Sequence, residues 1–124
     1  MYPLISVMIG GALGAGLRYI MSTSVGALLG SAFPWGTLCV NLIGGLLMGM
    51  LVGLIAKGSA GEGARLLLGV GVLGGFTTFS AFSLDCWQLI ERGSLGLAFA
   101  NMAFSVFGAL AALMIGLWCV RGAV

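Results

Sequence analysis

Four long apolar runs, separated by short polar or glycine-rich connectors, organise the 124-residue chain. Each run is close to the roughly 20 residues that an α-helix needs to cross the hydrocarbon core of a bilayer. The pattern predicts helices at about residues 4–28, 35–56, 65–90 and 95–120, within a single transmembrane domain that covers residues 1–124. The first run has neither a positive flank nor an evident cleavage site, so we expect a retained helix rather than a signal peptide. The predicted fold class is an all-α integral membrane protein.

The third run differs from the others because residues 74–83, with the sequence GGFTTFSAFS, interrupt it near its middle. Two glycines remove the side chains that stiffen a helix, and the hydroxyls of Thr77 and Thr78 compete for backbone hydrogen bonds. We therefore expect the third helix to break at Gly75, within residues 74–78, at mid-membrane. Non-helical backbone at that depth is tolerated where it is buried in protein or lines a water-filled cavity. Freed carbonyls could coordinate a cation and the new helix start could attract an anion, so the break predicts an ion or substrate site.

Composition supports the membrane location, because 60% of the residues are hydrophobic, 6% are charged and the mean hydropathy is +1.21. A soluble domain normally has about a quarter of its residues charged. The net charge of +2 is too small and too scattered to indicate a nucleic-acid partner. Cys39, Cys86 and Cys119 lie singly in apolar surroundings, without the spacing of a zinc site or a disulfide framework.

Glycines recur at four-residue spacing in the first two predicted helices. Gly10 and Gly14 lie in helix 1, and Gly45, Gly49 and Gly53 form a stripe on helix 2. This spacing lets a neighbouring helix or subunit approach the backbone closely.

Polar side chains inside helices 1 and 2 are candidates for function. Arg18, in the last third of helix 1, could extend to the interface or line an aqueous vestibule as a cation. Thr37 and Asn41, four residues apart, share one face of helix 2. Because an unpaired amide is costly in lipid, Asn41 faces either another helix or a polar path, and the spacing favours neither.

Phe79 and Phe82 lie three residues apart in the second half of helix 3, so their rings project from nearly the same face. Apolar packing is the ordinary role of such a pair. The edge of an aromatic ring is electropositive, however. Ring edges that face a narrow path could stabilise a small anion weakly enough for it to leave again.

Helix 4 carries Asn101 and Ser105 on one face, which the small residues Ala109 and Ala112 continue. Asp85, near the end of helix 3, is most simply an interfacial residue.

Charges at the span ends indicate no single orientation. Four spans put both termini on one side, together with Lys57, Arg65 and Arg121, while the other side has Arg92 and, more loosely, Arg18. Three positive residues against two is a weak bias, so insertion in both orientations is plausible. Two inverted copies of the chain could then form an antiparallel pair.

Three segments together resemble a known family. Residues 74–83 (GGFTTFSAFS), 36–44 (GTLCVNLIG) and 10–18 (GGALGAGLR) look like those of the bacterial fluoride channels, Fluc or CrcB, and the resemblance extends over all four spans. It implies a fluoride-selective channel that exports fluoride passively across the bacterial inner membrane and confers fluoride resistance. It also implies a dual-topology, antiparallel homodimer in the lipid bilayer, with two pores and a structural sodium ion at the helix breaks.

The resemblance also assigns residues by position. The sodium ligands would be the backbone carbonyls of Gly74 and Thr77 from both chains. The fluoride pathway would include pore-lining rings, a pore-facing amide, two hydroxyls on polar tracks and an arginine near the vestibule, which are Phe79, Phe82, Asn41, Ser80, Ser105 and Arg18. One departure is Ala81, which stands where many members have threonine and removes a hydroxyl from one track.

A small multidrug-resistance transporter is the strongest alternative, because such proteins are also short, four-spanned and often antiparallel. A proton-coupled carrier needs a titratable carboxylate deep in a span, whereas Asp85, the only acid within a span, lies near an end. A structural subunit would explain the glycine stripes but not the broken helix, Asn41 or Asn101. An enzyme is least expected, since the sequence has no histidine and shows no nucleophile-base pair.

Overall fold

The computed structural model describes residues 2–122, and every regular element in that part of the chain is helical. Four helical stretches are long and apolar enough to cross a membrane, as predicted: α1 (Tyr2–Leu29), α2 (Trp35–Ala56), the third span (Glu62–Glu91) and α6 (Leu95–Arg121). The third span consists of α3 (Glu62–Ala64), a π-helical segment (Arg65–Leu73), α4 (Gly74–Phe76) and α5 (Phe79–Glu91). Helix α2 is central because it packs against α1, α6 and the third span.

The third span breaks at Thr77 and Thr78, not at Gly75 as the sequence predicts. Gly74 has helical dihedral angles (φ −63°, ψ −38°), and the helix continues for two residues beyond it. Thr77 (ψ 156°) and Thr78 (φ −150°, ψ 123°) are extended. Thr78 starts α5 because its hydroxyl oxygen accepts a hydrogen bond from the Ala81 N–H at 3.1 Å. Glycine permits a break without requiring one, so the threonine cap decides where the helix restarts.

Glycines bring α1 and the π-helical segment into backbone contact. A Cβ atom at Gly10 would clash with the Leu67 carbonyl, and one at Gly14 would clash with the Val72 carbonyl. On the other side of the contact, a Cβ atom at Gly71 would lie 2.9 Å from the Gly10 Cα. The two backbones can approach this closely only because neither helix has a side chain there.

Gly14→Ala is expected to destabilise the protein, because the added methyl group would overlap the Val72 carbonyl and force the two helices apart. Overpacking of this kind typically costs about 1–3 kcal/mol. Thermal unfolding of the purified protein in detergent, followed by tryptophan fluorescence, measures the effect. Gly16→Ala is the matched control, since a Cβ atom at Gly16 has nothing within 4 Å. Equal unfolding temperatures for the two variants would contradict the contact.

The glycine stripe of α2 contacts α6 of the same chain. A Cβ atom at Gly45 would lie 2.8 Å from the Ala109 carbonyl oxygen, and one at Gly49 would clash with the Leu113 carbonyl. From the sequence alone, the neighbour of this stripe could be another helix or a second subunit. The structure shows that the neighbour is a helix of the same chain.

The outward faces of α1 and α6 carry many large, exposed apolar side chains. Lipid or a partner subunit covers such a surface in a membrane, whereas in water it would promote aggregation. Most charged residues lie towards the span ends, where Arg65 and Glu62 form an exposed ion pair at 2.7 Å, whereas Arg18 lies within α1.

Candidate functional site

Asn41 of α2 holds the break in the third span through two hydrogen bonds. Its Oδ1 accepts from the Thr78 N–H at 2.8 Å, and its Nδ2 donates to the Thr78 carbonyl at 3.0 Å. Both backbone groups of this extended residue are thereby paired, which matters because an unpaired group inside a bilayer costs several kcal/mol. From the sequence alone, Asn41 could face either another helix or a polar path. The structure shows a contact with the break.

The same break leaves the carbonyls of residues 74–77 without the backbone donors of a continuous helix, and those of Gly74 and Thr77 are among them. In an uninterrupted α-helix the Gly74 carbonyl would accept from the Thr78 N–H, and the Thr77 carbonyl would accept from the Ala81 N–H. Instead, the Thr78 N–H donates to Oδ1 of Asn41, and the Ala81 N–H donates to the Thr78 hydroxyl oxygen. Gly74 also lies exposed on the surface of the chain. Neutral main-chain oxygens at the break, including those of Gly74 and Thr77, are therefore available to a cation.

In the part of the chain that the structure describes, the carboxylate and thiol side chains offer no alternative metal site. Within residues 2–122 no three His, Cys, Asp or Glu side chains come close enough together to hold a metal ion. A cation at the break would depend on main-chain oxygens, which suit hard ions such as sodium.

A groove of about 430 Å³ runs beside the break, between α2, α5 and α6, and we call it the central groove. Its lining includes five residues that the sequence analysis selected: Asn41, Thr77, Phe79, Phe82 and Ser105. The rest of the lining is mainly apolar, so an ion in the groove would meet few polar groups.

Phe79 and Phe82 form an edge-to-face pair in the central groove. Their ring centroids are 5.4 Å apart and their planes meet at 70°. Phe82 is buried, with 7% of its surface exposed, whereas Phe79 is 79% exposed and projects out of the chain. In this arrangement the rings present both edges and faces, and only the edges are attractive to an anion.

Two hydroxyls of the central groove direct their hydrogens away from it. The Thr77 hydroxyl donates to the Leu73 carbonyl at 2.9 Å, and the Ser105 hydroxyl donates to Asn101 Oδ1 at 3.1 Å. Asn41 Nδ2 has two hydrogens and uses one of them on Thr78. Its second hydrogen is therefore a donor that the groove can offer to an anion.

Ser80 and Arg18 lie outside the lining of the central groove. Ser80 is exposed, and its Oγ lies 3.3 Å from Oγ1 of Thr78. Thr78 does line the groove. Arg18 is half-buried on α1. The structure thus brings together four of the six predicted pathway residues, with Ser80 one hydrogen bond away.

A second cavity of about 430 Å³, which the sequence analysis missed, lies where α2 begins and α5 ends. Thr37, Asp85, Gln88 and Arg92 line it. The Oδ2 atom of Asp85 is buried and has no hydrogen-bond partner within residues 2–122. Asp85 therefore faces a polar cavity near the end of the third span. Periodicity relates residues within one helix, and so gave no signal that Thr37 and Asp85 share a cavity.

Comparison with known proteins gives a consistent result over the whole chain. The model of the family described as CrcB-like protein, Camphor Resistance (CrcB) matches residues 5–117. A fluoride-specific ion channel FluC from Chelativorans sp. (strain BNC1) is 53% identical over 122 residues, which cover 98% of each chain. Proteins of the same name from Sphingopyxis alaskensis and Novosphingobium aromaticivorans are 49% and 50% identical, over 98% and 94% of this chain and 97% and 94% of their own.

Proposed function

The chain belongs to the CrcB family of fluoride-specific ion channels, and from this premise we propose that it conducts fluoride passively out of the bacterial cell across the inner membrane. The protein is a multi-pass membrane channel and not an enzyme. The observation that carries the proposal is the central groove, where an amide donor and an aromatic pair lie beside a broken helix. Fluoride resistance follows, because each exported ion lowers the internal concentration.

Passive exit is sufficient for protection, for a chemical reason. In acidic surroundings fluoride enters cells as neutral HF, which dissociates at the higher internal pH and leaves the anion trapped. A selective path for the anion then releases it down its own gradient. No proton coupling is needed, and none of the described residues that line the central groove has a carboxylate side chain.

In the proposed pathway, fluoride loses part of its water and contacts weak donors in the central groove. These are the second Nδ2 hydrogen of Asn41 and the ring edges of Phe79 and Phe82. A weak site suits conduction, because the ion must enter readily and leave readily. Ser80 and Ser105 would continue the path as polar tracks. Arg18 would raise the local concentration of fluoride in the vestibule.

We place the working channel in an antiparallel homodimer. Two features of the single chain support this arrangement: Phe79 is 79% exposed, and Gly74 is exposed beside the freed carbonyls. The weak charge bias across the membrane permits insertion in both orientations. A second, inverted copy would cover the open side of the central groove, giving two pores in each dimer.

A structural sodium ion would lie on the two-fold axis between the chains. The freed carbonyls of Gly74 and Thr77 supply two neutral oxygens from each chain, and these fit a hard monovalent cation. Bound there, the ion would join the two breaks and offset repulsion between the anions in the two pores.

Gly74→Leu is expected to dissociate the dimer while the single chain still folds. A Cβ atom at Gly74 meets only the Gly69 carbonyl oxygen, at 3.6 Å, so the clash must come from the partner chain. Size-exclusion chromatography with light scattering, in sodium-containing buffer, measures the dimer. Thr77→Ser should be mild because it keeps the main-chain oxygen. Gly63→Leu is the control, since a Cβ atom there has nothing within 4 Å. If the Gly74→Leu protein remains fully dimeric, the two-fold axis of the dimer does not pass beside Gly74.

Liposomes that contain the purified protein test whether transport is passive. We expect fluoride efflux with equal pH on both sides, driven only by the fluoride gradient and a potassium shunt. Efflux that appears only when a proton gradient is imposed would indicate a coupled transporter instead of a channel.

A further inference from the structure

Asn101 is the least exposed of the buried polar residues, with 2% of its surface accessible. Its Nδ2 donates to the Cys86 Sγ at 3.3 Å, and its Oδ1 accepts from the Ser105 hydroxyl at 3.1 Å. Ser105 lines the central groove, whereas Asn101 and Cys86 do not. Three side chains thus form a chain of hydrogen bonds that leads from the buried contact of α5 and α6 to the groove.

The chemistry of these groups fixes which way the hydrogens point. A hydroxyl is a stronger donor than a thiol, so the amide oxygen pairs with Ser105 and the amide hydrogen is left to the sulfur of Cys86. The Ser105 hydrogen therefore points at Asn101. Its oxygen lone pairs are what the groove meets, and lone pairs repel an anion.

We infer that Asn101 is a positioning residue that decides whether Ser105 offers a hydrogen or its lone pairs to an anion in the central groove. The inference rests on the proposed fluoride function. When fluoride arrives, the Ser105 hydrogen turns to the ion. The Asn101 amide then rotates, so that Nδ2 donates to the Ser105 oxygen and Oδ1 accepts from the Cys86 thiol. Every proton stays on its own atom and every group stays paired.

This exchange matters because α6 offers the groove little else. Its other lining residues are Val106, Ala109, Leu110 and Leu113, which have no side-chain donor. Ser105 is thus the one hydroxyl that α6 contributes to the described lining. A donor that becomes available only when the amide rotates binds the ion briefly, as conduction requires.

Asn101→Leu removes the amide, which accepts a hydrogen bond from the Ser105 hydroxyl without fluoride and donates one to it when fluoride is bound. The hydroxyl would then bond to the carbonyl one turn earlier in its own helix, and its lone pairs would face the groove permanently. We expect the fluoride concentration for half-maximal flux to rise about tenfold, the effect of losing one hydrogen bond to a charged group. Ser105→Ala should give a similar rise.

A double-mutant cycle on fluoride flux in liposomes tests the inference. If Asn101 acts through Ser105, the double variant should be no worse than the more impaired single variant. Multiplied effects, or a lower maximal flux with an unchanged half-maximal concentration, would show that Asn101 is only structural. Ser83→Ala is the matched control, because this exposed serine donates to the Phe79 carbonyl and lies off the groove. Any fold-change in fluoride flux caused by Ser83→Ala should multiply with that of Asn101→Leu in the double variant.

Two further measurements keep the outcome decisive. If Asn101→Leu yields no folded dimer, Cys86→Ala takes its place in the cycle, since it removes the sulfur that orients the amide. Cys86→Ala should weaken fluoride binding in the parent protein and have no effect in the Ser105→Ala background. A parent protein that carries no fluoride would refute the proposed function itself. A parent that does, with multiplied effects in both cycles, would refute only the role of Asn101.

Discussion

Replacing Asn41 by aspartate should lower fluoride flux by at least about a hundredfold, the largest effect expected for a single substitution in this chain. Aspartate retains the oxygen that accepts from the Thr78 N–H but loses the nitrogen that donates to the Thr78 carbonyl. A carboxylate oxygen would then face that carbonyl, and both are acceptors. The substitution also puts a negative charge beside the path of an anion. Loss of the donor and gain of the charge act in the same direction.

Asn41→Leu separates these two causes. Leucine adds no charge but leaves both backbone groups of Thr78 unpaired, so it should reduce the yield of folded dimer as well as the flux. Asn41→Asp should fold better than Asn41→Leu, because it keeps one of the two hydrogen bonds, yet conduct no better. Fluoride efflux from liposomes, normalised to the amount of dimer, gives the comparison. If Asn41→Asp shows full fluoride flux at neutral pH, Asn41 is not part of the fluoride pathway.

Phe82→Ile and Phe79→Ile should each lower fluoride flux, by up to about tenfold, while the dimer remains folded. Isoleucine keeps most of the apolar bulk but has no electropositive edge. Aromatic edge contacts are worth about 0.5–1.5 kcal/mol, which corresponds to roughly a tenfold change at the upper end. The two residues form one edge-to-face pair, so removing either ring also changes the orientation of the other.

The chain offers a matched control for each ring. Phe76 is as buried as Phe82, at 7% exposed, and Phe107 is 72% exposed against 79% for Phe79. Neither Phe76 nor Phe107 lines the central groove. Phe76→Ile and Phe107→Ile should therefore leave the flux per dimer nearly unchanged. If all four variants behave alike, the rings of the groove serve only for packing.

The four spans follow from the sequence because burial in lipid is a property of each run by itself. The break was predicted in the right segment but at the wrong residue. Gly75 could adopt either conformation, and the decision depended on Asn41 pairing with Thr78, 37 residues away. Spacing showed that Asn41 was unusual, but it could not show which helix would face the amide.

The polar contacts between helices were the hardest to predict. Asn101 and Ser105 were expected to share a face, and the structure joins them by a hydrogen bond. The Cys86 contact was not expected, since an isolated cysteine in an apolar run normally indicates packing. Asp85 was expected near the membrane interface, and the polar cavity that it shares with Thr37 was not predicted. The two unexpected pairs, Cys86 with Asn101 and Asp85 with Thr37, join residues from different helices, which no local pattern relates.

Ala81 stands where the resemblance to the fluoride channels leads us to expect a threonine. Its N–H helps to set the start of α5 by donating to the Thr78 hydroxyl, a role that any residue except proline could fill. If the proposed fluoride path passes Ala81, the missing side-chain hydroxyl would leave that path with one donor fewer. Ala81→Thr is a natural means to test whether an added hydroxyl increases flux.

Fluoride selectivity of the purified protein tests the proposed function most directly. Liposomes loaded with equal concentrations of potassium fluoride and potassium chloride, with a potassium shunt added to start the efflux, would be followed by fluoride-selective and chloride-selective electrodes. We expect fluoride to leave rapidly, chloride to stay inside, and the Asn41→Asp protein to release neither ion. Equal efflux of the two anions, or chloride efflux without fluoride, would contradict a fluoride-selective path through the central groove.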